Sequence, residues 1–163
     1  MIKNLAKFDL KSSFLSCEKD IDTILKKLFI ESRPYSDILK RLLVIPTKDC
    51  LDNETSEIYK EKIQKATMRN LIEEGYIQLF PKLYLPENEE VKSYIFITFD
   101  NFASNKTNPK FRDCAIHIDV ITHTDYWDIG DFRQRPLKIC GYIDAILNNS
   151  KLSGIGTLQF IGA

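Results

Sequence analysis

Apolar residues recur along this chain first with helical and then with strand periodicity. Ile21, Ile24, Leu25 and Leu28 fall at i, i+3, i+4 and i+7 behind Ser16, a residue suited to capping a helix. Arg33-Pro34 breaks that stripe, and a second one, Ile38, Leu39, Leu42 and Leu43, ends before Pro46. The two segments predict a helical pair covering a sheet. Residues 47–57 are polar and loop-like. Residues 58–74 have helix-forming composition with a ragged apolar pattern, and Gly75 is placed to end that helix.

The pattern then changes to that of strands. Residues 76–85 are apolar but interrupted by Pro81, which predicts an edge strand or two short strands. Val91 through Phe99 is rich in β-branched and aromatic residues and is the strongest strand signal, pairing with 76–85 as a hairpin. A polar loop, Asn101 to Lys110, leads to a further strand from Arg112 to Thr124. The elbow Asp125 to Asp131 follows. A helix opens at Pro136, carries Ile139, Cys140, Ile143, Ile146 and Leu147 on its apolar face with Lys138 and Asp144 outside, and ends at Asn148-Asn149. A last strand is predicted over Leu152–Ile161. The fold class expected from this order is α+β: a mixed, mostly antiparallel sheet with N-terminal helices and one C-terminal crossover helix packed on it.

At 163 residues the chain is the size of one domain, taken here as 1–163, with residues 1–15 as an N-terminal arm and 47–75 as an insertion or second arm. The formal net charge is zero, which argues against a coat for nucleic acid and suits a chain that packs against copies of itself. No apolar run approaches the ~20 residues needed to span a bilayer, so no membrane role is expected. The opening residues lack the apolar core of a signal peptide, and synthesis in a cytosol is expected. Cys17, Cys50, Cys114 and Cys140 are widely spaced, without the close pairs of zinc sites. Cys114 and Cys140 are expected to be reduced core thiols.

The sharpest candidate for chemistry is His117, Asp119, His123 and Asp125, which share a strand face by parity. Two imidazoles and two carboxylates are suitable ligands for a divalent metal, but strung along a strand they span about 20 Å, too far for one ion. Neither adjacent pair has an obvious third ligand, so no metal, cofactor or catalytic residue is assigned. Arg133 and Arg135 are candidates for contact with phosphate or with a neighbour's acidic residues, as are Lys106 and Lys110. Trp127, the only tryptophan, lies with Asp125, Tyr126 and Asp131 on a polar loop, where an exposed ring is suited to an interface. The other reading of Trp127 has it folded back on the core. Gly154-Ile-Gly156 lacks the following helix and lysine of a phosphate-binding loop.

The run from Arg112 onwards resembles the C-terminal half of tail-terminator and tail-completion proteins of tailed bacteriophages. The resemblance rests on Ile116-His-Ile-Asp-Val-Ile121, the helix Ile139–Leu147, the turn Asn148-Asn149, and Leu152-Ser-Gly-Ile-Gly-Thr-Leu158. It implies a non-enzymatic structural protein of the virion, made in the host cytoplasm. Such a protein forms a ring, often a hexamer, at the junction of head and tail. Its expected partners are further copies of itself, the portal or neck adaptor and the tail-tube protein, with DNA at most passing through the lumen. The expected contact residues are Lys106, Lys110, Asp125, Tyr126, Trp127, Asp131, Arg133 and Arg135. Competing readings are a small nucleic-acid-binding or regulatory module using the basic residues, and a metal-dependent hydrolase using His117, Asp119 and His123.

Overall fold

The computed structural model of the chain describes residues 17–79, 92–107, 112–131 and 133–162. The first helix, α1 (Cys17–Lys26), runs into a π-helical turn, Lys27–Glu31, and is followed by α2 (Tyr35–Val44). Ile24, Leu25, Leu28 and Phe29 are buried from the first helical segment, and Leu39, Leu42, Leu43 and Val44 from the second. The expected stripes therefore do point inward, with Ile21 and Ile38 at their margins.

Residues 47–57, expected as a loop, already contain helix, and the helix expected over 58–74 is present but broken in two. The segment forms three short helices, α3 (Asn53–Ile58), α4 (Lys60–Lys65) and α5 (Met68–Glu73). Cys50, Thr55, Ala66 and Leu71 are buried. The Arg41 side chain ties the segment to α2 by donating to the carbonyls of Cys50 at 3.1 Å and Asp52 at 2.8 Å. Thr67 caps α5 by accepting from the Asn70 amide at 3.2 Å, and Gly75, at φ 75°, ends that run.

The main sheet has the order β1-β2-β3, where β1 is Ile77–Gln78, β2 is Ser93–Ser104 and β3 is Arg112–Thr122. β2 and β3 form a long antiparallel hairpin with Ile95 opposite Val120, Ile97 opposite Ile118 and Phe99 opposite Ile116. These residues form the inner face, with Ile95 and Ile97 fully buried. β1 pairs with β2 in parallel, Ile77 beside Ile95, and not as the expected hairpin. A two-residue hairpin turn can join only antiparallel neighbours, so this pairing rules the expected hairpin out; residues 80–91, which include Pro81 and the rest of the expected strand, lie outside the described residues. The expected loop after residue 100 is partly strand: β2 continues to Ser104 across an irregularity at Asp100/Ala103, where Asn101 adopts φ 53°.

After β3, a 3₁₀ turn (Thr124–Tyr126) and the elbow lead to α6 (Arg135–Leu147). α6 packs on β3, α2 and the π-helical turn, and α2 packs on β2, so the fold is α+β with the helices of its core laid on the sheet. The predicted last strand is instead a small hairpin of β4 (Lys151–Leu152) and β5 (Gly156–Thr157). Gly154 at φ 88° and Gly156 at φ 106° reverse the chain there, a geometry that L side chains rarely adopt. The cysteine expectation changes as well. Cys50 is buried, but Cys114 and Cys140 are exposed, because Cys140 sits just beyond the edge of the inward stripe of α6.

Candidate functional site: the elbow between β3 and α6

The residues between β3 and α6 form a loop braced from within. His123 Nδ1 accepts from the Asp125 amide at 3.3 Å, which fixes the start of the 3₁₀ turn. The Trp127 amide donates to the Thr124 carbonyl at 3.2 Å. Asp128 and Gln134 face each other in an isolated antiparallel bridge, and the Ile129 amide donates to the Arg133 carbonyl at 3.1 Å. Gly130 at φ 78° and Asp131 at φ 48° turn the tip. Ile129 is buried and pins the loop to the core.

Charge reinforces this geometry. Asp128 accepts from Lys48 Nζ at 2.9 Å through Oδ2 and from the Gly130 amide at 2.9 Å through Oδ1. The Lys48 hydrogen bond, aided by that amide, holds the Asp128 carboxyl below its ordinary range. Arg133 pairs with Asp131 two residues earlier. This loop presents Trp127 with 44% of its surface exposed, so the folded-back reading of that ring does not hold. Asp125, Asp131 and Arg133 are exposed beside it, and Tyr126 is half-buried.

Arg135 is a correction to the expected contact set. It is 1% exposed and unavailable to a partner. Its guanidinium donates to the carbonyls of Leu42 and Ile45 at 2.7 Å each, Thr47 at 2.6 Å and Tyr126 at 2.7 Å. No sequence signal marked it, since arginine is among the residues least often buried whole. Arg133 and Arg135 therefore form no surface pair for phosphate: one is inside and the other is neutralised by Asp131.

Lys106 is exposed at the far tip of the β2–β3 hairpin, roughly 35 Å from the elbow at the rise of an 11-residue strand. Lys110 lies outside the described residues. The expected contact residues thus fall into an elbow group, a separate hairpin tip and a buried arginine. The parity expected for β3 holds, with His117 and Asp119 exposed and Ile116, Ile118 and Val120 turned inward. β3 ends at Thr122, however, so His123 and Asp125 leave the strand face and turn into the elbow. His117 Nε2 has Asp100 at 4.0 Å and His123 Nδ1 has Asp125 at 3.5 Å, as two separate pairs. Among the described residues no three His, Cys, Asp or Glu side chains gather as metal ligands would.

An α+β domain carrying a braced, aromatic-tipped loop is thus the class that fold and site define. The chain belongs to the YomW family, which it matches over residues 36–163, from α2 through the β4–β5 hairpin. That family is phage-derived, after YomW of a Bacillus prophage, and it points to a phage protein. No curated protein and no solved structure matches the chain.

Proposed function

We propose that this phage protein is a non-enzymatic component of the virion that forms a ring at the head–tail junction, terminating the tail or connecting it to the neck. The observation that carries the reading is the elbow. An internally bonded loop that holds a tryptophan partly in solvent has its shape set before any partner arrives, so docking costs little ordering entropy. The resemblance of residues 112–163 to tail-terminator proteins supports the station, and the phage-derived family supports the particle. β3 supports the mode of assembly. Among the described residues it pairs with β2 alone, so its outer main-chain edge can receive a strand from a neighbouring copy. Head-to-tail contacts of that kind close into a ring when the rotation between copies is a whole fraction of a turn.

The test is the mass of the purified protein in solution across a concentration series, alone and with co-expressed neck and tail-tube proteins. A discrete ring in either condition is expected. A monomer under every condition would sink the reading.

A further inference from the structure

At the end of β3 remote from the elbow, two cysteines terminate two inward-facing stripes. Cys17 continues the buried stripe of α1: at 100° per residue it lies about 20° around the helix from Ile24. Cys114 shares the parity of Ile116, Ile118 and Val120, which places it on the face of the sheet that carries the helices. Ile21 and Ile116 are the margins of these stripes, each partly buried against the core that α1 and the sheet share. Cys17 lies one helical turn beyond Ile21, and Cys114 one strand repeat beyond Ile116. Asp100 pairs with Ala115 and Ala103 with Asp113, so Cys114 stands alone opposite the irregularity in β2. Cys114 is exposed and Cys17 half-buried, so both are open to a small reagent. The two are neighbours in space: a charge on Cys17 bears on Cys114, and Asp20, one turn along α1, bears on both. Cys140, exposed on α6, is raised by desolvation with no such neighbour among the causes. Among the described residues no third ligand joins the pair into a metal site.

We infer that Cys17 and Cys114 form an oxidative modification site, closed by a low-molecular-weight disulfide into an intramolecular bridge that staples the first turn of α1 to the start of β3. The exposed Cys114 thiolate attacks one sulfur of the reagent, forming a mixed disulfide and releasing one small thiolate. The Cys17 thiolate then attacks Cys114 Sγ and releases the second. In sum, two protein thiols lose two electrons and two protons, and the reagent takes them up as two small thiols. A disulfide needs its Cα atoms within about 7 Å of each other. Cys17 is the first residue of α1, and a helix end frays, so that turn supplies the adjustment. In a reducing cytosol the pair stays open, and in an oxidising medium it closes. The bridge closes a loop of about 100 residues and so removes much of the freedom of the unfolded chain. This inference stands apart from the ring reading and needs no second copy.

The experiment treats the reduced full chain, at low concentration and mildly alkaline pH, with hydroxyethyl disulfide. Remaining thiols are then blocked and the peptides mapped by mass without reduction. A peptide pair joined through Cys17 and Cys114 of one chain is expected, with Cys140 recovered as a mixed disulfide or a blocked thiol. The oxidised chain should melt roughly 5 °C or more above the reduced one, and dithiothreitol should remove that shift. Cys17→Ser and Cys114→Ser should each abolish the shift, and Cys140→Ser should keep it. The peptide map of the parent needs no variant, so it decides the site even where a serine variant fails to fold. A mixed disulfide that persists on Cys114 while Cys17 stays a thiol would overturn the assignment. So would cross-links running only between chains, or a closed bridge that leaves the melting temperature unchanged. Ring formation, present or absent, bears on none of these readouts.

Discussion

Arg135 Nη1 lies 2.7 Å from the main-chain oxygen of Ile45, 90 residues away in sequence. The same nitrogen reaches Leu42, and the rest of the guanidinium reaches Thr47 and Tyr126. One side chain thereby joins the end of α2, the segment after it, the 3₁₀ turn and the start of α6. These carbonyls are the ones a helix end and an irregular connection leave without partners. The planar fork of arginine can serve several such acceptors together, which a lysine cannot. Burial lowers the Arg135 pKa from its ordinary value, and the carbonyl dipoles offset the loss of water.

Replacing Arg135 with Met keeps most of the packed stem and removes every donor. Several buried carbonyls then lose their partners, at about 1–3 kcal/mol each where water cannot reach. The expected loss of stability is about 3–5 kcal/mol, a fall in Tm on the order of 10 °C for a chain of this size. Arg135→Lys should recover only a small part. Thermal melts of the two variants decide the point, and a Met variant that melts with the parent would remove Arg135 from this role.

The elbow should loosen in acid. Asp128 is held below its ordinary carboxyl range by Lys48 and the Gly130 amide, so it is more acidic folded than unfolded. Its contribution is therefore complete above the ordinary value of about 3.9 and lost as pH falls through the lower folded-state value. Trp127 is the adjacent residue and reports on the loop. A change in its emission is expected only below the ordinary Asp range, and Lys48→Met should move that change to higher pH. The same midpoint in parent and variant would count against the Lys48 contact.

Thiol chemistry should separate the cysteines. Cys114 and Cys140 are exposed, Cys17 is half-buried and Cys50 is buried. Desolvation raises all four thiols above their ordinary value, so labelling at neutral pH should be slow and should accelerate as pH rises. Mass mapping of a time course should find Cys114 and Cys140 modified first and Cys50 only on unfolding. Early modification of Cys50 would mean that the segment between α2 and α3 opens on the labelling timescale.

Local periodicity carried most of the fold into view. The inward stripes of α1, α2 and α6, the alternation of β3 and the break at Asn148-Asn149 depend on neighbours in sequence, and each is present where the pattern places it, except that Cys140 falls outside the α6 stripe and β3 stops at Thr122. The parallel pairing of β1 with β2 depends on a contact between distant residues, which no local pattern encodes. Helix over 58–74 was legible, but its break into α4 and α5 and the short α3 before it were not, because their apolar residues are few and reach the core only through single positions such as Leu71. At the elbow, Trp127 was legible as a large ring among polar residues. Arg135 was not, since a guanidinium bound for backbone carbonyls looks in sequence like any surface cation.

Trp127 offers the most direct test of the elbow as a contact. Its side chain is partly exposed, whereas the loop is held by main-chain bonds, by Ile129 and by the Lys48–Asp128 pair. Trp127→Ala should therefore leave the monomer folded, with stability within about 1 kcal/mol of the parent. An aromatic anchor at the centre of an interface typically contributes about 2 kcal/mol or more, so assembly should weaken roughly 30-fold. Asp128→Asn should act on assembly more mildly and in the same direction, by loosening the loop that aims the ring. Mass distributions of parent and variants, measured with the neck and tail-tube proteins present, distinguish the outcomes. Assembly lost together with the monomer's melting transition would make Trp127 a packing residue. Assembly kept in full by a folded Trp127→Ala protein would move the contact elsewhere, with the outer edge of β3 the next surface to block.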